Sequence, residues 1–168
     1  IILITVSGPD YPGITARLMK IVSHYGHDVM DMGQAVTHGL LSLSIVIDLN
    51  TKNEAQSGHV LKDLLFEANM MGLTLTYRVV DREVVDSTIE AEKFIVTCVA
   101  PQNVTASFVF DLASVLATHR VNIERIDKVS PRDFSSMEIS TSIPKDLDWK
   151  TVKQELINVS TRHKIDVA

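Results

Sequence analysis

One cysteine, Cys98, stands among 168 residues, and aromatic side chains make up only 5% of them. A lone cysteine excludes an internal disulfide framework and any four-cysteine zinc site. It also excludes a metal carrier built on a Cys-x-x-Cys loop. Alternation of Phe94, Val96 and Cys98 along an apolar strand places the thiol in a core. The scarcity of aromatics argues against an RNA-recognition sheet, which stacks bases on exposed rings; the apolar segments 1–6 and 40–49 carry none. No apolar run approaches the ~20 residues of a membrane span. The formal charge is −5, with Lys and Arg scattered, so no basic face for nucleic acid is present. The sequence opens on a strand with no basic leader before it, and a cytoplasmic location without membrane or nucleic-acid partners is expected.

What is present is a repeat. A strand over 1–6 leads into a helix over 14–25, with Ile14, Leu18, Ile21, Val22 and Tyr25 on one face and Gly26 as its stop. A strand over 29–37, the tight connection His38-Gly39 and an alternating strand over 41–49 follow. A second helix over 57–71, with Leu61, Leu64, Leu65 and Ala68 inward, and a strand over 73–80 complete the set. The charged stretch 82–91 reads as a linker. The order then recurs: strand 94–100, helix 107–119, strand 122–129, a turn at 131–133, strand 137–143, helix 149–162, and a strand from 165. Aligning Asp28 with Asn122 gives an offset of 122 − 28 = 94 residues, which sets Leu18 on Leu112 and Gly13 on Ser107.

Two βαββαβ copies with right-handed crossovers predict an α+β chain of two ferredoxin-like sandwiches, residues 1–81 and 92–168. Each copy is small, and its open edges want cover, so homodimerisation is expected. The last strand stops at Ala168, which predicts that the chain is a piece of a longer protein.

No catalytic set emerges. Asp146-Leu147-Asp148 has the beginning of an Asp-x-Asp-x-Thr nucleophile motif, but Lys150 stands where Thr is needed and the triplet precedes a helix. Asp148 reads as a helix cap. His24 and His27 flank Gly26 as solvated residues at a helix end, and His38 in a turn, His59 at a helix start and His119 and His163 near helix ends are expected to face solvent. No metal ligand set is expected. The densest local signal is Ser7-Gly8-Pro9-Asp10-Tyr11-Pro12-Gly13, a stiff turn running into a helix whose first N–H groups favour an anion. The residues alone leave open a plain strand-to-helix turn and a binding loop.

The segment Gly-Pro-Asp-Tyr-Pro-Gly-Ile, followed by a helix and Gly-His-Asp-Val, resembles the ACT domain, an amino-acid-sensing regulatory module. The family pattern Asp-x-Pro-Gly, then Gly-x-Asn-Ile, matches Asp10, Pro12 and Gly13, then Gly26, Asp28 and Val29. The second copy keeps Val121-Asn122-Ile123 but replaces the loop by Pro101-Gln102-Asn103-Val104. Residues 57–66 and 122–130 further resemble the N-terminal regulatory region of bacterial phosphoserine phosphatases. That resemblance implies a small amino-acid ligand, L-serine, at Gly8, Asp10, Pro12, Gly13, Ile14 and Asp28, with Asn103, Ser107 and Asn122 as second-copy equivalents. It implies no chemistry in these residues, and a separate magnesium-dependent haloacid-dehalogenase-type domain that turns phosphoserine into serine. Asp28 departs from the family's Asn; ionised, it accepts but cannot donate, which suits an ammonium better than a carboxylate. Two alternatives stand beside this reading: a stand-alone regulator similar to the glycine-cleavage-system repressor, and a pure dimerisation module.

Overall fold

The computed structural model describes residues 1–49, 54–83, 92–101, 103–129 and 135–168. The chain divides into two compact units, Ile1–Asp86 and Ser87–Ala168. The expected linker over 82–91 lies largely outside the described residues, as does the expected turn at 131–133.

In the first unit the order is β1 (Ile2–Pro9), α1 (Ile14–His24), β2 (Asp28–Thr37), β3 (Leu40–Asp48), α2 (Glu54–Met70) and β4 (Thr74–Val79). The strands form one antiparallel sheet in the order β2-β3-β1-β4. Alternation decides which face is buried. Ile2, Ile4 and Val6 of β1 and Leu41, Leu43, Ile45 and Ile47 of β3 turn to the helices and are nearly inaccessible. Ile14, Leu18 and Val22 of α1 and Val60, Leu64 and Ala68 of α2 close over them. The inward face of α2 matches the expectation at Leu64 and Ala68 but not at Leu65. Its buried stripe is Val60, Leu64 and Ala68, and Leu65 is 40% exposed. The helix also begins at Glu54, three residues before the expected start at 57.

The second unit repeats the plan with β5 (Glu92–Ala100), α3 (Ala106–Thr118), β6 (Asn122–Lys128), β7 (Ser135–Ile143), α4 (Trp149–His163) and β8 (Asp166–Val167). Its sheet order is β6-β7-β5-β8. Val96, Cys98, Phe108, Leu112, Leu116, Ile139, Val152, Leu156 and Val159 form its core. Both units are thus ferredoxin-like α+β sandwiches. β8 is short: it meets β5 at Cys98 and Val99, and Ala168 exchanges two backbone hydrogen bonds with Thr97. Beyond them Phe94 stacks on Trp149 with ring centroids 5.0 Å apart, and both rings stay partly exposed.

Candidate functional site

The loop between β1 and α1 is fastened on two sides. The Asp10 N–H donates to the Gly39 carbonyl at 2.8 Å, tying the loop to the β2–β3 hairpin. That hairpin turns through His38 and Gly39, with φ of 50° and 78°. On the other side the Tyr11 hydroxyl donates to the Met71 carbonyl at 3.1 Å. Gly8, at φ 151°, lies so close to the α2–β4 junction that a Cβ on it would stand 2.7 Å from Leu73 Cδ2. A side chain at Gly8 therefore has to push the Leu73 methyl aside as well as adopt this φ.

Gly13 serves a different purpose. It is the N-cap of α1, with φ 98° and ψ −8°, and no side chain caps the helix there. Its carbonyl accepts the Arg17 N–H at 3.0 Å, the first bond of the helix. A Cβ on Gly13 would meet nothing within 4 Å, so open space lies before the first turn. That turn holds no acid, and the helix dipole favours a negative group in that space. Thr15, in the first turn, donates its hydroxyl to Gln34 Oε1 at 2.7 Å and so joins α1 to β2. Neither residue stands out in the sequence, because the contact depends on β2 lying under α1.

The predicted site residues separate into groups. Asp10, Pro12 and Gly13 are exposed and adjacent. Ile14 is 2% exposed, with its side chain in the core, so only its backbone faces the loop. Asp28 is not brought to the loop. It pairs with Asp48 and sits beside the start of β1, whereas Pro9 and Leu40 pair at the far end. Eight steps along β3, from Asp48 to Leu40, separate the two ends, roughly 26 Å at 3.3 Å per residue.

The second unit differs where the loop matters. α3 opens two residues earlier than the 94-residue offset implies, and its N-cap is Thr105, whose side chain accepts the Phe108 N–H at 3.3 Å. Ser107 therefore lies inside the first turn, exposed, and Asn103 is exposed ahead of the cap. Asn122 begins β6 opposite Ser142, at the other end of its sheet. The N-terminus of α3 is capped by its own chain; that of α1 is not.

Side chains elsewhere settle several expectations. Cys98 is fully buried, and burial pushes its thiol up to about 11. Asp148 accepts from the Lys150 N–H at 3.2 Å and from the Thr151 hydroxyl at 2.6 Å, and these bonds, the Thr151 one first, hold its carboxyl below the usual range. It is the cap of α4. His24, His38 and His59 are exposed as expected, and the other three histidines are not. His27 is buried, at 7% exposure. His119 and His163 bridge the helix pair of the second unit, His119 to Glu155 at 3.1 Å and His163 to Asp111 at 2.8 Å. Among the described residues no group of three or more His, Cys, Asp or Glu is placed to hold a metal ion. No helix among them is long and apolar enough to cross a membrane.

Two family models, both described as ACT domain, match residues 1–78 and 95–168. The chain belongs to the ACT-domain family and carries two such domains in tandem. Among curated proteins it is similar to phosphoserine phosphatase SerB2 of Mycobacterium tuberculosis (strain ATCC 25618 / H37Rv), at 25% identity over 168 residues. That match covers 99% of this chain and 40% of the relative, so the chain spans less than half of the relative's length. Among solved structures, a protein of unknown function from Galdieria sulphuraria superposes with a TM-score of 0.74 at 18% identity, covering 99% of this chain and 95% of the other. A candidate glycine cleavage system transcriptional repressor superposes at 0.70 with 14% identity, covering 99% and 94%. These two share the fold.

Proposed function

We propose that the chain is an amino-acid-sensing and assembly region, and that its first ACT domain alone holds the ligand. The carrying observation is the asymmetry of the two helix starts: α1 opens at Gly13 with no side-chain cap and open space before it, whereas Thr105 caps α3. The ligand's α-carboxylate sits at the N–H groups after Gly13, and Asp10 accepts from the ammonium. L-serine is the first candidate, because the curated relative is a phosphoserine phosphatase. In that reading the chain regulates a cytoplasmic phosphatase whose magnesium-dependent chemistry belongs to a separate domain.

Asp28 enters the site only from a second copy, since it lies at the opposite end of its own sheet. β2 is an edge strand of ten residues, with Val29, Met32 and Val36 each more than 40% exposed. Antiparallel pairing of two such edges centred near Gly33 sets Asp28 of one copy against His38 of the other, beside the hairpin that holds Asp10. Dimerisation and ligand binding are then one arrangement.

Calorimetric titration with a panel of L-amino acids tests the reading. Saturable binding of serine by the wild-type chain, abolished in Gly13→Ala and retained in Thr105→Ala, is expected. Equal loss in both variants, or no binding of any amino acid at millimolar concentration, overturns it and leaves assembly as the role of these domains.

A further inference from the structure

The helix layer of the first unit contains a second feature, which begins at Arg17, one turn along α1 from Gly13. A trough of about 510 Å³ runs between α1 and α2. This lies within the ~300–1,000 Å³ usual for small-molecule sites. Polar ties close it at both ends. Arg17 pairs with Glu67 at 2.5 Å at one end, and the Tyr25 hydroxyl donates to Asp63 at 2.6 Å at the other. The eight helical steps from Arg17 to Tyr25 make the trough about 12 Å long. Between the ties lie Lys20 on the α1 wall and the half-buried Ile21 as floor. Among the described residues Lys20 has no ion-pair partner. His24 completes the α1 wall, its ring edge-on to Tyr25 at 5.3 Å.

The fold does not require this arrangement, as the second unit demonstrates. The 94-residue offset, which superposes buried Leu18 and Val22 on buried Leu112 and Leu116, sets Arg17, Lys20 and His24 on Asp111, Ser114 and Thr118. Ser114 and Thr118 turn their hydroxyls back to carbonyls of their own helix, at 2.7 and 2.9 Å. The basic stripe therefore belongs to the first unit alone.

The charges select the occupant. A simple anion on Lys20 faces the Asp63 and Glu67 carboxylates across the trough, and also the negative end of the α1 dipole. A simple cation faces Arg17 and Lys20. A molecule with both charges and an apolar body satisfies each wall and the floor. We propose that the trough binds a zwitterion of amino-acid or dipeptide size, with its carboxylate on Lys20, its ammonium against Asp63 and Glu67, and its apolar body on Ile21. This site is independent of the Gly13 loop.

Amide-resolved NMR titration of the chain tests the assignment, with L-leucine and alanyl-leucine as probes and acetate and methylammonium as single-charge controls. The probes are expected to shift the amides of Lys20, Ile21 and His24 saturably, and the controls are not. Lys20→Gln weakens the binding at least about tenfold while helix content stays unchanged, a loss of one charge-assisted contact. Gly13→Ala leaves it intact, so a failure of the loop reading and a failure of this one appear in different variants. Leucine binding alone identifies a free amino acid as the occupant, and alanyl-leucine alone a short peptide. Equal shifts with acetate, persistence of the shifts in Lys20→Gln, or no shift with either probe at millimolar concentration overturns the proposal.

Discussion

Alanine at Gly8 and alanine at Gly13 add the same methyl group to the same loop, and the structure predicts unequal costs. Both glycines have positive φ, 151° and 98°, which L side chains rarely adopt. That strain costs each variant about 1–2 kcal/mol, offset by up to ~1 kcal/mol from the stiffer unfolded chain. At Gly13 nothing more is added, because the new Cβ meets no atom within 4 Å. At Gly8 the Cβ falls 2.7 Å from Leu73 Cδ2, and Leu73 is only 7% exposed. Overpacking of a filled core adds about 1–3 kcal/mol. Gly13→Ala should therefore lower stability by roughly 1 kcal/mol and Gly8→Ala by roughly 2–4 kcal/mol, by the same reckoning. Urea unfolding followed by circular dichroism measures both. Adding Leu73→Ala to Gly8→Ala supplies a further check, because removing the struck atom should make the double variant more stable than the sum of the single losses. Equal costs at the two glycines, or strict additivity with Leu73→Ala, would refute the assignment of Gly8 to packing and Gly13 to open space.

Three further outcomes are expected. Thr105→Ala removes the α3 cap and should destabilise the second unit by about 1 kcal/mol, while the corresponding site in the first unit has no cap to lose; unfolding of each unit separately reads this. Between pH ~9 and ~11 the folded state keeps the Cys98 proton that the unfolded chain releases, so this contribution is complete below pH 9 and lost as pH rises through 11. Cys98→Ala should flatten that part of the alkaline stability profile, worth on the order of 2 kcal/mol, and the native wild-type thiol should resist alkylation at neutral pH. The purified chain should not hydrolyse phosphoserine with magnesium; measurable turnover would place chemistry in residues assigned none.

The parts of the fold legible in the sequence are those with a period. Leu41, Leu43, Ile45 and Ile47 alternate, and all four face the core. Leu18 and Val22, repeated as Leu112 and Leu116 at an offset of 94, lie buried in both units. The same offset failed at the helix start, because a cap is set by one hydroxyl and the local backbone: Thr105, two residues upstream of Ser107, captures the Phe108 N–H. On α2, Leu64 and Ala68 are buried as expected, but Val60 takes the place expected of Leu65, because leucines at 61, 64 and 65 spread around a helix and their spacing alone does not say which of them is innermost. The bridges of His119 and His163 join residues 36 and 52 positions apart, and no local pattern encodes such pairs. The distance between Asp28 and Gly13 was implicit in the topology. A helix that returns antiparallel to β1 must deliver β2 to the end of the sheet opposite the loop.

Mixing two inactive variants tests the central claim most directly. Gly13→Ala and Asp28→Ala chains are prepared separately, shown to be folded, shown to bind no serine, then co-refolded in equal amounts and titrated with serine. If each ligand is held by the loop of one copy and Asp28 of another, mixed dimers contain one intact site, and random pairing of a two-fold dimer restores about a quarter of the wild-type capacity. A mixture as silent as its components, or an Asp28→Ala chain that binds serine as the wild type does, would contradict the account.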